Sequence, residues 1–252
     1  GIEKRGARTV AAKARFLSSE IWRYAVATLR ADSDLAASLR GAVRMPDHEH
    51  HPSLARDEIP AFLAALGNYS GRKETAAAIK LLLLLFPRPG ELLGASWAEF
   101  DLDAALWRIP AERMKMGEEH LIPLPSQAVE LLRGLKFLTG KYPHLFPHRD
   151  QRNKPMTDSA LRQALRSLGY SRKLTPHGFR GTASTALNEM GYRGDWIEKQ
   201  LAHEERKRSR GSYNHAIYLE DRRTMLQGWA DLIDEMAKSA SNVVPVRFGQ
   251  AA

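Results

Sequence analysis

Arg88, Lys115, His177, Arg180, His203 and Tyr213 form a set that suits one reaction, attack on a phosphodiester without a metal ion. A tyrosine hydroxyl is a nucleophile, cationic side chains hold the non-bridging phosphate oxygens, and imidazole and ammonium groups move protons. None of the six is informative alone. Their order and local contexts carry the information.

Thr175 and Pro176 predict a helix start, with a hydroxyl N-cap followed by a proline at the first helical position. His177 and Arg180 then fall three apart in the first turn, where free N–H groups and the positive end of the helix favour a phosphate. The plainer alternative is a capped helix with both side chains solvated. Arg88 stands between Pro87 and Pro89, so its backbone is stiff, and Glu91 is placed to orient its guanidinium. Its alternative is a surface arginine in a proline-rich turn. Lys115 lies between Met114 and Met116 at a predicted hairpin tip, from which an ammonium can protonate a leaving oxygen. Arg113 and Lys141 compete with it, and a solvated turn lysine is the alternative. His203 ends a predicted helix over 195–202, which Asp195 can cap after the helix-breaking Gly191 and Gly194. Tyr213 follows ten residues later, across a charged stretch that lets it swing. Tyr218 is the rival nucleophile, but it sits beside Ile217 and Leu219 and reads as packed.

Asp47, His48, Glu49, His50 and His51 invite a metal reading, since imidazoles and carboxylates are zinc ligands. Their spacing matches no closed site, and the run reads as a polar linker.

The elements that must position these residues follow from periodicity. An apolar stripe over 8–30 predicts a helix, and 33–40 a short second one. Residues 45–52, closed at both ends by proline, read as a linker. A helix is predicted over 57–66, and one over 72–86 is buried, because five consecutive leucines leave no polar face. A short helix over 91–97 follows. Residues 106–109 and 120–124 predict two strands of a hairpin with a long tip. Further helices are predicted over 126–138, 157–168, 176–190, 195–203 and 216–236. The fold class is mainly α with a small antiparallel β-sheet. Residues 1–45 read as the last helices of an incomplete helical domain, 46–52 as linker, 53–236 as the main domain, and 237–252 as a flexible or partner-docking tail. The first residue is not Met, and the first helix reads as the end of something, which suggests a piece of a longer protein.

Composition sets bounds. Of 252 residues, 38 are Lys or Arg against 29 Asp or Glu, a net charge of +9 that favours a polyanionic partner, most often nucleic acid. There is no cysteine, which excludes disulfides and thiol chemistry. The longest apolar run, 81–86, is far too short to cross a membrane.

Taken together, the segments 81–92 (LLLLLFPRPGEL), 109–116 (IPAERMKM), 177–180 (HGFR), 200–203 (QLAH) and Ser212-Tyr213-Asn214 resemble the successive boxes of the tyrosine recombinase or phage integrase family, in its prophage and genomic-island branch. The resemblance covers about residues 53–236, and residues 1–45 resemble the end of the family's core-binding domain. It implies that Tyr213 attacks the scissile phosphate to give a 3′-phosphotyrosyl link. Arg88 and Arg180 would stabilise the transition state, and Lys115 would protonate the leaving 5′ oxygen. His177 would act as base or orient the tyrosine, His203 would hydrogen-bond the phosphate, and Glu91 would support Arg88. It implies no cofactor, neither ATP nor metal, because the covalent bond conserves the phosphodiester energy. It further implies a cytoplasmic bacterial enzyme that integrates or excises a mobile element. Its partners would be duplex DNA at attachment sites, a homotetramer on DNA, an excisionase and a DNA-bending host protein, with no membrane. The longer N-terminal region of many relatives is incomplete here, and Pro87 stands where relatives often carry another residue type. Two other activities share the chemistry or the charge: a type IB topoisomerase, which relaxes DNA without exchanging partners, and a non-catalytic DNA-binding protein, which has no need of Tyr213.

Overall fold

The structure is a computed structural model and describes residues 2, 5–42, 51–115, 117–203 and 218–241. It divides into two compact units, Gly1–His50 and His51–Ala252.

Among its described residues the first unit holds helix α1 (Arg8–Ala27) and a 3-10 turn at Ala37–Leu39. The helix expected over 33–40 is reduced to that turn. The Asp34 carboxylate accepts the Ala36 N–H at 2.9 Å and the Ser19 hydroxyl, and such side-chain bonds compete with helix propagation. α1 buries none of its residues, and Phe16, Leu17, Ile21 and Tyr24 are at least half exposed.

The second unit is built around α3 (Lys73–Leu85), whose residues Leu81, Leu82, Leu83, Leu84 and Leu85 are completely buried. A leucine at every position of the last turn has no solvent face, so the helix must be enclosed on all sides. α5 (Ser126–Thr139), α6 (Asp158–Ser167), α7 (Gly178–Glu189) and α9 (Leu219–Ser241) pack around it. α9 also packs on α2 (Ile59–Gly67) and is pinned to α3 by the Trp229 indole, which donates to the Leu83 carbonyl at 2.8 Å. Each such fully buried large side chain contributes about 2–3 kcal/mol from removed apolar surface. Between them, α4 (Pro89–Leu93) and α8 (Gly194–Gln200) are short.

Three antiparallel strands lie in chain order: β1 (Phe100–Asp101), β2 (Leu106–Ile109) and β3 (His120–Pro123). Trp107 faces Phe100 and Ile122, and Ile109 faces His120. The hairpin of β2 and β3 is the one expected. β1 adds an edge that two residues are too few to announce by alternation. The late helices keep their expected places with shifted ends: α8 stops at Gln200 rather than 203, and α9 runs to Ser241 rather than 236. Among the described residues no helix is long and apolar enough to cross a membrane.

Candidate active site

Two residues with positive φ frame the site. Phe86 ends α3 at φ +41°, and Ala202 follows α8 at φ +48°. A left-handed conformation costs a residue with a Cβ about 1–2 kcal/mol, and such residues collect at functional sites. Here each turns a carbonyl towards an arginine. Arg180, on the first turn of α7, donates Nη1–H to the Phe86 carbonyl at 3.1 Å and Nη2–H to the Leu201 carbonyl at 2.6 Å. Arg88 donates Nη2–H to the Ala202 carbonyl at 2.9 Å. Two guanidinium groups from distant segments therefore grip consecutive carbonyls immediately ahead of His203.

Arg88 is held from its other side as well. Its Nη1 donates to Glu91 Oε1 at 2.7 Å, and the second oxygen of that carboxylate accepts the Arg88 backbone N–H at 2.8 Å. Pro89 suits the first position of α4, because the N–H that proline lacks would have no intrahelical partner there. Glu91 is buried, and Arg88 remains about a quarter exposed. The bonds described use two of the five N–H donors of each guanidinium, which leaves both with donors for an anion.

Arg180 is 6% exposed, which removes the alternative of a solvated first-turn arginine. Burial, and then the charge of Arg88, push its pKa down to about 10, so it stays cationic at neutral pH. The Thr175 hydroxyl accepts the Gly178 N–H at 3.0 Å, the capping bond expected of it, although regular helix begins only at Gly178. His177 is the residue before it. Desolvation lowers its pKa, followed by the charges of Arg180, His51, Arg88 and His203, which favours a neutral imidazole able to accept a proton.

His203 Nδ1 lies 2.7 Å from Glu198 Oε2, an arrangement in which Nδ1–H donates and Nε2 is left for a ligand. Asp195 does not cap α8. It lies inside the first turn, 3.6 Å from Arg193, which holds the capping position without a side-chain bond. Lys115 is exposed on the connection between β2 and β3, and Met116 beside it lies outside the described residues. Its rival Arg113 is occupied: Nη1 donates to Glu99, and Nη2 donates to the Glu91 carbonyl. Arg113 thus ties the base of that connection to the Arg88–Glu91 arm. Tyr213 lies outside the described residues. Of the acidic and histidine run 47–51, only His51 is described.

Beneath the site runs a buried polar network that the sequence does not announce. Gln200 donates Nε2–H to the Leu85 carbonyl at 3.0 Å, one residue before Phe86. Its Oε1 accepts from Arg222 Nε at 3.1 Å and Nη2 at 2.6 Å, and the same Nη2 reaches the Leu121 carbonyl at 2.6 Å. Gln200 and Arg222 are each 1% exposed. Arg222 sits in a run of charged residues, 220–223, that reads as a solvated helix face. Gln200 lies within the QLAH segment but bears no charge, and its partners are 22 and 115 residues away. Arg222→Met is expected to lower stability by about 3–5 kcal/mol, because it strips donors from buried oxygens. Urea unfolding measures this as a lower midpoint with an unchanged slope. A loss below about 1 kcal/mol would contradict the network.

His120 joins the same network through Nε2, 3.2 Å from the Gln200 carbonyl. Burial first, and then the charge of Arg222, push its pKa down to about 3. The folded chain therefore keeps His120 neutral while the unfolded chain protonates it. Its contribution to stability is complete above pH 6.5 and is lost as pH falls from there towards 3. Between pH 6.5 and 5 the loss is expected to be about 2 kcal/mol relative to His120→Gln, in denaturant titrations at both pH values. Parallel pH dependence in both proteins would refute it.

The profile of the phage integrase family matches residues 52–220. The integrase of Enterobacteria phage P4 is 41% identical over 249 residues, covering 92% of this chain and 57% of that protein. The chain spans about three fifths of the length of the curated relatives it matches, from 57% to 63%. In fold it is similar to a lambda integrase tetramer bound to a Holliday junction, with a TM-score of 0.63 and 20% identity over 85% of this chain and 62% of that one. It is also similar to the Tn1549 transposon integrase in complex with circular intermediate DNA, with a TM-score of 0.64 and 16% identity over 85% of this chain and 78% of that one. The successive boxes, the paired arginines at one turn and these matches have a common reading: the chain belongs to the phage integrase family.

Proposed function

We propose that the chain carries the strand-cleaving and strand-joining centre of a site-specific DNA recombinase. The observation that supports this most is the convergence of Arg88 and Arg180 on the carbonyls of Ala202 and Leu201, with His203 next in sequence. Two fixed cations with spare donors suit a phosphate whose charge grows in the transition state. The Tyr213 oxygen attacks phosphorus as the P–O5′ bond breaks, which leaves a 3′-phosphotyrosyl link and a 5′ oxygen. His177, held neutral, takes or directs the tyrosine proton, and Lys115 gives a proton to the 5′ oxygen. His203, braced by Glu198, donates to a non-bridging oxygen, and Glu91 keeps Arg88 aimed. The 5′-hydroxyl of a second strand then attacks the phosphotyrosine, so the bond count is restored without ATP.

The substrate is duplex DNA at attachment sites, for which the net charge of +9 is suited. A homotetramer on two sites is the assembly we infer, as in the lambda integrase tetramer to which the fold is similar. An excisionase, a DNA-bending host protein and a place in the bacterial cytoplasm follow from the family resemblance.

The test is incubation with a nicked suicide duplex carrying an attachment site, followed by a denaturing gel. A protease-sensitive covalent protein–DNA adduct is expected. Retardation of the duplex on a native gel without any adduct would make the protein a non-catalytic binder.

A further inference from the structure

The segment that opens the second unit is strapped along the start of α7, which His177 directly precedes and which carries Arg180. The Pro52 carbonyl accepts the Thr175 N–H at 3.2 Å. It also lies only 1.9 Å from where a Cβ on Gly178 would stand, so the glycine of the HGFR segment is required by a chain crossing over it. Ser53 lies 3.3 Å from the corresponding position of Gly181. The Leu54 N–H donates to the Thr182 hydroxyl at 2.8 Å, with Leu54 buried. Three consecutive residues, Pro52 to Leu54, are thereby placed over the start of α7. The residue before them, His51, places its ring 4.7 Å from that of His177, tilted by 54°. His51 is exposed, so core packing does not explain its position.

We propose that His51 is a positioning residue for His177, holding that imidazole in one orientation from a strap that lies outside the family's boxes. The inference rests on the reading of His177 as part of a DNA-cleaving centre. A ring held by one neighbour has fewer orientations to search, and misplacement of a proton-transfer group by about 1 Å costs up to about a hundredfold in rate. After desolvation, the groups whose charge acts on His177 are Arg180, His51, Arg88 and His203. Removing His51 therefore takes away one like charge as well as a packing surface.

Two readouts separate the inference from the proposed activity. The first is an NMR titration of the His177 ring in the free protein, assigned with His177→Asn. The second is single-turnover cleavage of the suicide duplex as a function of pH. His51→Ala is expected to raise the His177 midpoint, shift the acidic limb of cleavage in the same direction and slow cleavage about tenfold. His51→Phe keeps the ring contact and is expected to stay within about twofold of the wild-type rate. An unchanged titration and profile in His51→Ala would overturn the inference. Equal loss in both variants without a moved midpoint would also overturn it, by assigning His51 to direct DNA contact. A moved midpoint in a protein that cleaves nothing would sustain the coupling and sink the recombinase reading instead.

Discussion

Tyr213→Phe is expected to abolish the covalent adduct, to below about one part in 10⁴ of the wild-type rate, while duplex affinity stays within about twofold. The phenyl ring keeps the shape of the side chain and removes the oxygen that forms the bond to phosphorus. No water-mediated bypass gives a protein-linked product, so the gel reads the nucleophile directly. Tyr218 is the rival in sequence, and its surroundings argue against it. It has φ +45°, directly precedes α9, and its carbonyl accepts the Arg222 N–H at 2.9 Å. A residue locked into a helix start beside a buried arginine is poorly placed to advance on a phosphate and withdraw. Tyr218→Phe is accordingly expected to leave the adduct in place. Survival of the adduct in Tyr213→Phe, with loss in Tyr218→Phe, would transfer the role. Affinity should be compared by anisotropy at one fixed salt concentration, because phosphate contacts make it steeply salt-dependent.

Arg180→Lys is expected to cut single-turnover cleavage about 10²–10³-fold, even though it keeps a positive charge. The guanidinium does three things at once: it meets the Phe86 carbonyl, meets the Leu201 carbonyl and presents further donors to a ligand. One ammonium lacks the rigid fork that meets both carbonyls and keeps further donors for a phosphate. Burial that already pulls the Arg180 pKa down to about 10 would pull a lysine, which starts lower, further towards neutrality. Arg180→Ala adds a structural penalty, since both carbonyls lose their donor, and about 2–5 kcal/mol of stability should go with them. The pair of variants separates chemistry from folding: urea midpoints report the second, and adduct formation by folded protein the first. A lysine variant within tenfold of wild type would mean that charge alone suffices and that the fork is incidental.

These two residues differ in how far the sequence reveals their roles. Pattern within about fifteen residues was readable. The five-leucine run gave α3 its buried place, the alternation at 106–109 and 120–124 gave the hairpin, and Thr175 gave a capping hydroxyl. What stayed hidden depends on partners far along the chain or on the backbone. The carbonyls of Phe86, Leu201 and Ala202 are chemically identical to every other carbonyl, and only two positive φ angles make them targets. Arg222 looks solvated among its charged neighbours, because nothing near it predicts Gln200, 22 residues earlier. His51 looked like the end of a polar linker, because the contact that gives it meaning is with a ring 126 positions on (177 less 51). Asp195 went the other way: it has the right chemistry for a cap at the wrong position in the turn.

The chain between His203 and Tyr218 has both ends fastened to one small region. Upstream, Arg88 and Arg180 hold the carbonyls of Ala202 and Leu201, and downstream, Gln200 holds Arg222. The two ends thus share one mechanical ground: a displacement of the turn at Leu201 and Ala202 carries Gln200 with it and, through Gln200, the first turn of α9.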